Sequence, residues 1–388
     1  MSLLPEIIAM KEEVTGWRRH LHERPELLFD VNETSAFVAE KLREFGCDEV
    51  VTGLGRTGVV GLIRGRPGGN GPTIGLRADM DALPITEITG APWASRTPGK
   101  MHACGHDGHT AMLLGAAQHL AKTRNFNGAV AVIFQPAEEG GGGGREMVND
   151  GLMERFGIAQ VFGMHNMPGL PVGQFAIRPG PIMASTDEFR IKLTGRGGHA
   201  AMPHKSIDPI VAASALVMSI QTIASRNADP LESLVISVTK FIAGTAYNII
   251  PEEVELAGTI RTLNADMRKL AVDRLRDVVQ SVSLAHQVTA DFHHLPNYPV
   301  TFNHAAETEF AADVAASVSG NEAVDRYVAP TMGGEDFSYM LEARPGAFIF
   351  LGNGDTAGLH HPAYDFNDEA IPHGISYWVR LVETALAD

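Results

Sequence analysis

Apolar positions recur with helical spacing over residues 5–22 and 32–45, the second stretch opened by the capping-type residues Asn32 and Thr34. Residues 57–63 and 73–76 read as strands separated by a Pro/Gly/Asn turn. Residues 108–121 form a strong helical pattern, and 129–134 and 161–164 are short apolar runs suited to buried strands. From about Ala184 the rhythm changes to strand 187–194, helix 208–224, strands 234–242 and 254–262, helix 266–285 and strand 288–293. That order, β-α-β-β-α-β, is the split βαβ (ferredoxin-like) unit, which builds its own small sheet with two helices. After Pro296 two helices, the apolar strand 347–352 and a helix from Ile371 read as completion of the first domain.

The pattern therefore predicts an α/β fold: a helix-flanked mixed sheet over residues 1–183 and 296–388, with an α+β domain inserted at 184–295. A length of 388 residues agrees, being too long for one core. With 44% hydrophobic and 20% charged residues the chain is not broadly disordered. A formal net charge of −15 argues against nucleic acid or an anionic membrane as partner, though one local Arg or a metal still admits an anionic small substrate. Two cysteines, Cys47 and Cys104, cannot make a disulfide framework. The N-terminal residues lack a basic start, an apolar stretch and a cleavage site, and no segment approaches the roughly 20 apolar residues that cross a bilayer. The expected location is the cytoplasm.

Four motifs carry chemistry. Met101-His102-Ala103-Cys104-Gly105-His106-Asp107-Gly108-His109 stands just before a helix, and on extended backbone Cys104 and His106 would project to one side as thiolate and imidazole ligands. Glu138 and Glu139 follow a buried strand in Phe134-Gln135-Pro136-Ala137-Glu138-Glu139. There one carboxylate can hold a metal while the other faces a water. The glycines Gly140 to Gly144 behind them allow close backbone approach and predict no stable surface helix. His165 ends the apolar run after Val161, and His360-His361 follows a Gly-rich loop. Together these supply ligands enough for two metal ions sharing a site, an arrangement that recurs in hydrolysis.

These motifs, with Gly163-Met164-His165-Asn166, Gly197-Gly198-His199-Ala200, Met332-Gly333-Gly334-Glu335-Asp336-Phe337 and Leu359-His360-His361-Pro362, resemble the M20 metallopeptidase family. The branch they resemble most is the amidohydrolases of hippurate, N-acyl-amino acids and indole-acetyl-amino acid conjugates. The resemblance implies a dinuclear site for Zn, Mn, Co or Ni in the larger domain, and an inserted domain serving as lid and dimerisation surface, with a homodimer or a tetramer as the assembly. It implies Cys104, His106, Glu139, His165 and His360 as metal ligands and Glu138 as general base. His361 rivals His360, which follows Leu359 as the family ligand does. Arg77-Ala78-Asp79 replaces the His-x-Asp of wider relatives, so Asp79 either orients a ligand or simply pairs with Arg77.

On the inserted domain, the resemblance implies that His199 holds the developing oxyanion. Arg261 could take a substrate carboxylate, Asn248 could add a hydrogen bond, and Gly333 would let backbone approach the substrate. Glu335 and Asp336 could equally begin a helix. The activity implied is hydrolysis of an N-acyl-amino acid to a carboxylic acid and an amino acid. Its rivals are a dipeptidase or carboxypeptidase on the same scaffold, a cysteine enzyme using Cys104 with His106 or His109, and a non-catalytic binder of metal or acyl-amino acid.

Overall fold

The computed structural model describes residues 3–387. The chain folds into two compact units. The larger comprises Met1–Ile182, Thr301–Ala329 and Asp336–Asp388, and the smaller Met183–Val300 with Pro330–Glu335. The segment Pro330–Glu335 returns to the smaller unit, so Gly333 belongs there.

The larger unit is built on an eight-stranded sheet. Its order is Glu49–Leu54, Gly58–Arg64, Ala129–Gln135, Thr73–Asp79, Ile158–Pro168, Gly346–Gly354, Phe175–Ala176 and Val324–Asp325. The four strands from Ala129–Gln135 to Gly346–Gly354 run parallel. They are buried along nearly all their length, which is why they read as unbroken apolar runs rather than alternating ones. Helices Pro5–His22, His106–Thr123 and Ile371–Ala385 pack on one another and bury Val14, Met112, Leu113, Ile375 and Trp378 in the same core as strand residues Leu76, Val132 and Phe162. Each such side chain contributes about 1.5–3 kcal/mol on burial.

The smaller unit holds a four-stranded antiparallel sheet, ordered Leu234–Ala243, Glu253–Thr262, Ser185–Thr194 and Thr289–Pro296. Strand Glu253–Thr262 lies between the two strands that helix Pro209–Thr222 connects, which is the split βαβ order. Alternate residues point inward: Phe189, Ile191 and Leu193 on one central strand, and Val254, Leu256 and Ile260 on its neighbour. Asp208 caps helix Pro209–Thr222 by accepting from the Ile210 amide at 2.9 Å, and Asn264 caps helix Ala265–His286 by accepting from Met267 at 2.7 Å. The helical run Pro209–Asn227 is long and apolar enough to cross a bilayer, contrary to the sequence reading. Its residues Ala212, Ala213, Leu216 and Ile220 are buried in the smaller unit's core.

Local chemistry departs from the sequence in four places. Neither Asn32 nor Thr34 caps helix Asn32–Glu44; the Glu26 carboxylate accepts from the amides of Glu33 (3.1 Å) and Thr34 (2.8 Å) instead. A helix, Gly143–Asn149, does start inside the glycine run, because Gly143 and Gly144 are buried against neighbours that leave no room for a side chain. Strand Ile158–Pro168 continues beyond His165, carried on by pairing with Gly346–Gly354, so His165 is not terminal. Finally, Cys104 and His106 do not share extended backbone. Gly105 sits at φ 87° and His106 already opens helix His106–Thr123.

Candidate active site

The carboxyl ends of the parallel strands gather the site. Strand Thr73–Asp79 delivers Asp79 and, two residues on, Asp81, while strand Ala129–Gln135 runs into the turn that bears Glu138 and Glu139. That turn reverses through Ala137 at φ 54°. Cys104 and His106 flank the left-handed Gly105. A Cβ there would fall 2.3 Å from Asn166 Nδ2 and 2.4 Å from Tyr364 Oη, so only glycine fits between the two expected ligands. His360, also left-handed at φ 62°, is held by its amide donating to the Ala103 carbonyl at 2.7 Å.

All five expected ligands come together. Cys104, His106 and His165 place one donor atom each within 4.8 Å of one another, as do Cys104, Glu139 and His360, and His106, Glu138 and Glu139. Cys104 Sγ lies 3.3 Å from His165 Nε2, and His360 Nε2 lies 3.2 Å from Glu139 Oε1. His361 stands apart from these groups, its Nδ1 accepting from the Ala363 amide at 3.0 Å. Glu138 is buried beside Glu139.

A pair of divalent cations fits this donor set. Both ring nitrogens of His106 are buried without a hydrogen-bond partner, Nε2 standing 3.6 Å from Asp79 and 4.0 Å from Glu139. Burial disfavours a charged His106, yet Asp79, Asp81 and Glu139 outweigh it and raise its pKa to about 10. Burial, reinforced by Glu139, Glu138 and Asp79, pushes the Cys104 thiol well above its ordinary value. So many carboxylates around a thiol need compensating positive charge, and a metal draws out the thiolate. Thiolate and imidazole suit zinc, and the carboxylates admit manganese, cobalt or nickel.

The shell behind the ligands was largely missed by the sequence reading. His165 Nδ1 donates to the Asn166 carbonyl at 2.6 Å, which leaves Nε2 as the lone-pair nitrogen facing Cys104. Asp79 makes the expected pair with Arg77, accepting from Nη1 at 2.7 Å, and also accepts from His109 Nδ1 at 2.6 Å. Asp81 accepts from the amides of Glu138 (2.9 Å) and Glu139 (3.1 Å) and lies 3.6 Å from His106 Nδ1. The logic that selected Asp79, a carboxylate at a strand end, could have found Asp81. Asp336 accepts from Arg77, Gln135 and Gly144, and desolvation raises its pKa to about 6. It begins no helix; helix Ser338–Ala343 starts two residues later. Next to His106, Asp107 accepts from His22 Nδ1 at 2.8 Å, and the buried Arg18 reaches Asp368 at 2.7 Å.

The remaining expected residues belong to the smaller unit. His199 and Asn248 share one corner of it: His199 pairs with Ile249 across a two-stranded ribbon, and the Asn248 carbonyl accepts from Ala200 at 3.0 Å. The exposed His199 ring accepts at Nδ1 from the Ala201 amide at 3.1 Å. Arg261 is half-buried, with no hydrogen bond or ion pair among the described residues, and desolvation lowers its pKa. Its guanidinium lies against Gly334, where a Cβ would stand 3.3 Å away. The neighbouring Gly333 carbonyl accepts from the Ala184 amide at 2.8 Å.

Comparison with known proteins agrees with this geometry. The family model described as peptidase family M20/M25/M40 matches residues 75–384. A hippurate hydrolase of Campylobacter jejuni is 42% identical over 381 residues, covering 98% of each chain. An N-acetylcysteine deacetylase of Bacillus subtilis is 39% identical, over 97% of this chain and 98% of its own. A solved dinuclear-metal-binding peptidase of the M20 family from Bacillus subtilis superposes with a TM-score of 0.84 at 35% identity, over 98% of this chain and 99% of its own. Matched along nearly its whole length by relatives of this similarity, the chain belongs to peptidase family M20.

Proposed function

We propose that this chain hydrolyses the amide bond of N-acyl-amino acids, of the hippurate or N-acetyl type, to a carboxylic acid and a free amino acid. It is a metal-dependent hydrolase of amides. The observation that carries the substrate-level reading is the convergence of Cys104, His106, Glu139, His165 and His360 beside the buried acid Glu138. A pure binding protein has no use for that sixth group, and a cysteine nucleophile leaves the glutamates and His360 unexplained.

Cys104, His106, Glu139, His165 and His360 would hold two divalent ions, with zinc, manganese, cobalt and nickel as candidates. When bound, such ions acidify a water toward neutrality and polarise an amide carbonyl. Glu138 accepts the water proton on its carboxylate and passes it to the leaving nitrogen. His199, supplied from the partner subunit in a dimer, donates to the developing oxyanion. The hydrogen bond that its Nδ1 accepts from the Ala201 amide supports this, because it leaves Nε2 as the donor nitrogen. Arg261, a half-buried cation without a carboxylate of its own, pairs with the substrate carboxylate, while Asn248 and the Gly333 backbone add hydrogen bonds.

The smaller unit acts as lid and dimer surface. The exposed apolar residues Val235, Phe241 and Ile242 of its edge strand support a homodimer formed through it. The unpaired Cys47 and Cys104 suit the cytoplasm.

The test is amine release from N-benzoylglycine and N-acetylmethionine by protein reconstituted with each metal in turn. Turnover of either supports the reading. Binding without turnover under every metal, or turnover of dipeptides alone, overturns it.

A further inference from the structure

The turn between strand Ala129–Gln135 and helix Gly143–Asn149 carries both site glutamates, and backbone bonds from Gly143 to the Ala137 carbonyl at 3.1 Å and from Gly140 to the Glu138 carbonyl at 2.7 Å cross it. Two buried aspartates tie it to its surroundings from either end. Asp81 accepts the amides of Glu138 and Glu139 at its apex. Asp336 closes its base: Oδ1 accepts from Gln135 Nε2 at 2.6 Å, on the strand side, and Oδ2 accepts from the Gly144 amide at 2.8 Å, on the helix side. Arg77 binds the clasp from behind, giving Nη2 to Asp336 Oδ1 at 3.0 Å and Nε to Gln135 Oε1 at 2.9 Å. A Cβ at Gly144 would come 2.7 Å from the Asp336 carbonyl, so the close approach is part of the arrangement.

We infer that Asp336 is a positioning residue for Glu138 and Glu139: by tying Gln135 to Gly144 it fixes the span and direction of the turn that presents one acid to the metals and the other to the water. The inference rests on the metal-site reading of the proposed function, but its consequence is a metal-binding one. Glu139 belongs to two of the five candidate ligand groups, Cys104 with His360 and His106 with Glu138, whereas Cys104, His106 and His165 form a group without it. Loosening the turn should weaken one cation and spare the other.

Asp336→Asn keeps the shape and removes an acceptor. Its amide NH2 must face either the Gly144 N–H or the Arg77 and Gln135 donors, and one side of the clasp opens. The test titrates cobalt(II) into the metal-free full chain and into D336N, followed by visible absorption and equilibrium dialysis, with circular dichroism to verify the fold. The expected result is two tight equivalents for the parent. For D336N, one tight equivalent is expected, the second held about 10–100-fold more weakly, with changed d–d bands. Two equivalents bound as tightly by D336N with an unchanged spectrum overturn the inference, and so does a parent that takes up fewer than two. Should D336N fail to fold, Gln135→Leu removes the donor to Asp336 Oδ1 together with the acceptor of Arg77 Nε, and spares the Asp336 contacts to Arg77 Nη2 and the Gly144 amide. A smaller loss confined to the second equivalent is then expected, and unchanged binding overturns the inference. Failure of the parent to cleave N-acyl-amino acids would overturn the proposed function and leave these cobalt results readable.

Discussion

His109 donates its Nδ1 proton to Asp79 Oδ1 across 2.6 Å while its Nε2 accepts from the Asn166 amide at 2.9 Å. The two bonds fix its tautomer and tie the ligand-bearing helix to two central strands. His109→Leu is therefore expected to lower metal affinity about 10–100-fold while the chain still folds. Dialysis against a metal buffer, with circular dichroism as control, reads both quantities.

Glu138→Gln tests the base directly. The variant should keep its full complement of metal by elemental analysis and lose about 10²–10⁴-fold in kcat. Parallel losses of metal and activity would place Glu138 among the ligands instead.

His199→Ala on the smaller unit should depress turnover with metal content unchanged. If metal content falls in step with activity, the oxyanion role is wrong.

His22 gives a pH dependence of stability. Burial disfavours its charged form, but Asp107 and Glu87 prevail and raise its pKa to about 9, above the ordinary value of 6.5. A raised folded-state pKa stabilises fully below about 6.5, and the contribution fades as pH climbs through about 9. The gap in Tm between the parent and His22→Gln should thus be widest near pH 6 and shrink by pH 10. A gap constant across that range would show that the ion pair with Asp107 is not what the substitution removes.

Gly105→Ala should cost about 3 kcal/mol or more, from a left-handed backbone and a Cβ driven into Asn166 and Tyr364. Urea unfolding measures it.

The smaller unit was legible because period-two and helical patterns dominate it; its strand Glu253–Thr262, for instance, alternates buried residues with exposed or half-buried ones throughout. The expected ligands were legible as clustered motifs in the larger unit, although strand Ile158–Pro168 runs on past His165 and His106 opens a helix. What holds those ligands was not. Asp81 acts on backbone amides 57 residues away, and Asp336 on an amide 192 residues away. A contact to an N–H leaves no trace in the partner's side-chain type, so no local pattern reports it. Cys104 and His106 misled for a related reason: extended backbone would project them to one side, but the αL turn at Gly105 brings them together by another route.

Strand Gly346–Gly354 occupies the interior of the large sheet, between Ile158–Pro168 and Phe175–Ala176, and His360 follows it. During synthesis, then, the sheet keeps a missing middle until Gly346–Gly354 emerges, after every other strand of that sheet. The inserted unit's four strands are all made before that point, whereas the catalytic half closes last. A premature stop shortly before Gly346 would leave a nascent chain with most of its ligands, a raw sheet edge and no way to close the site.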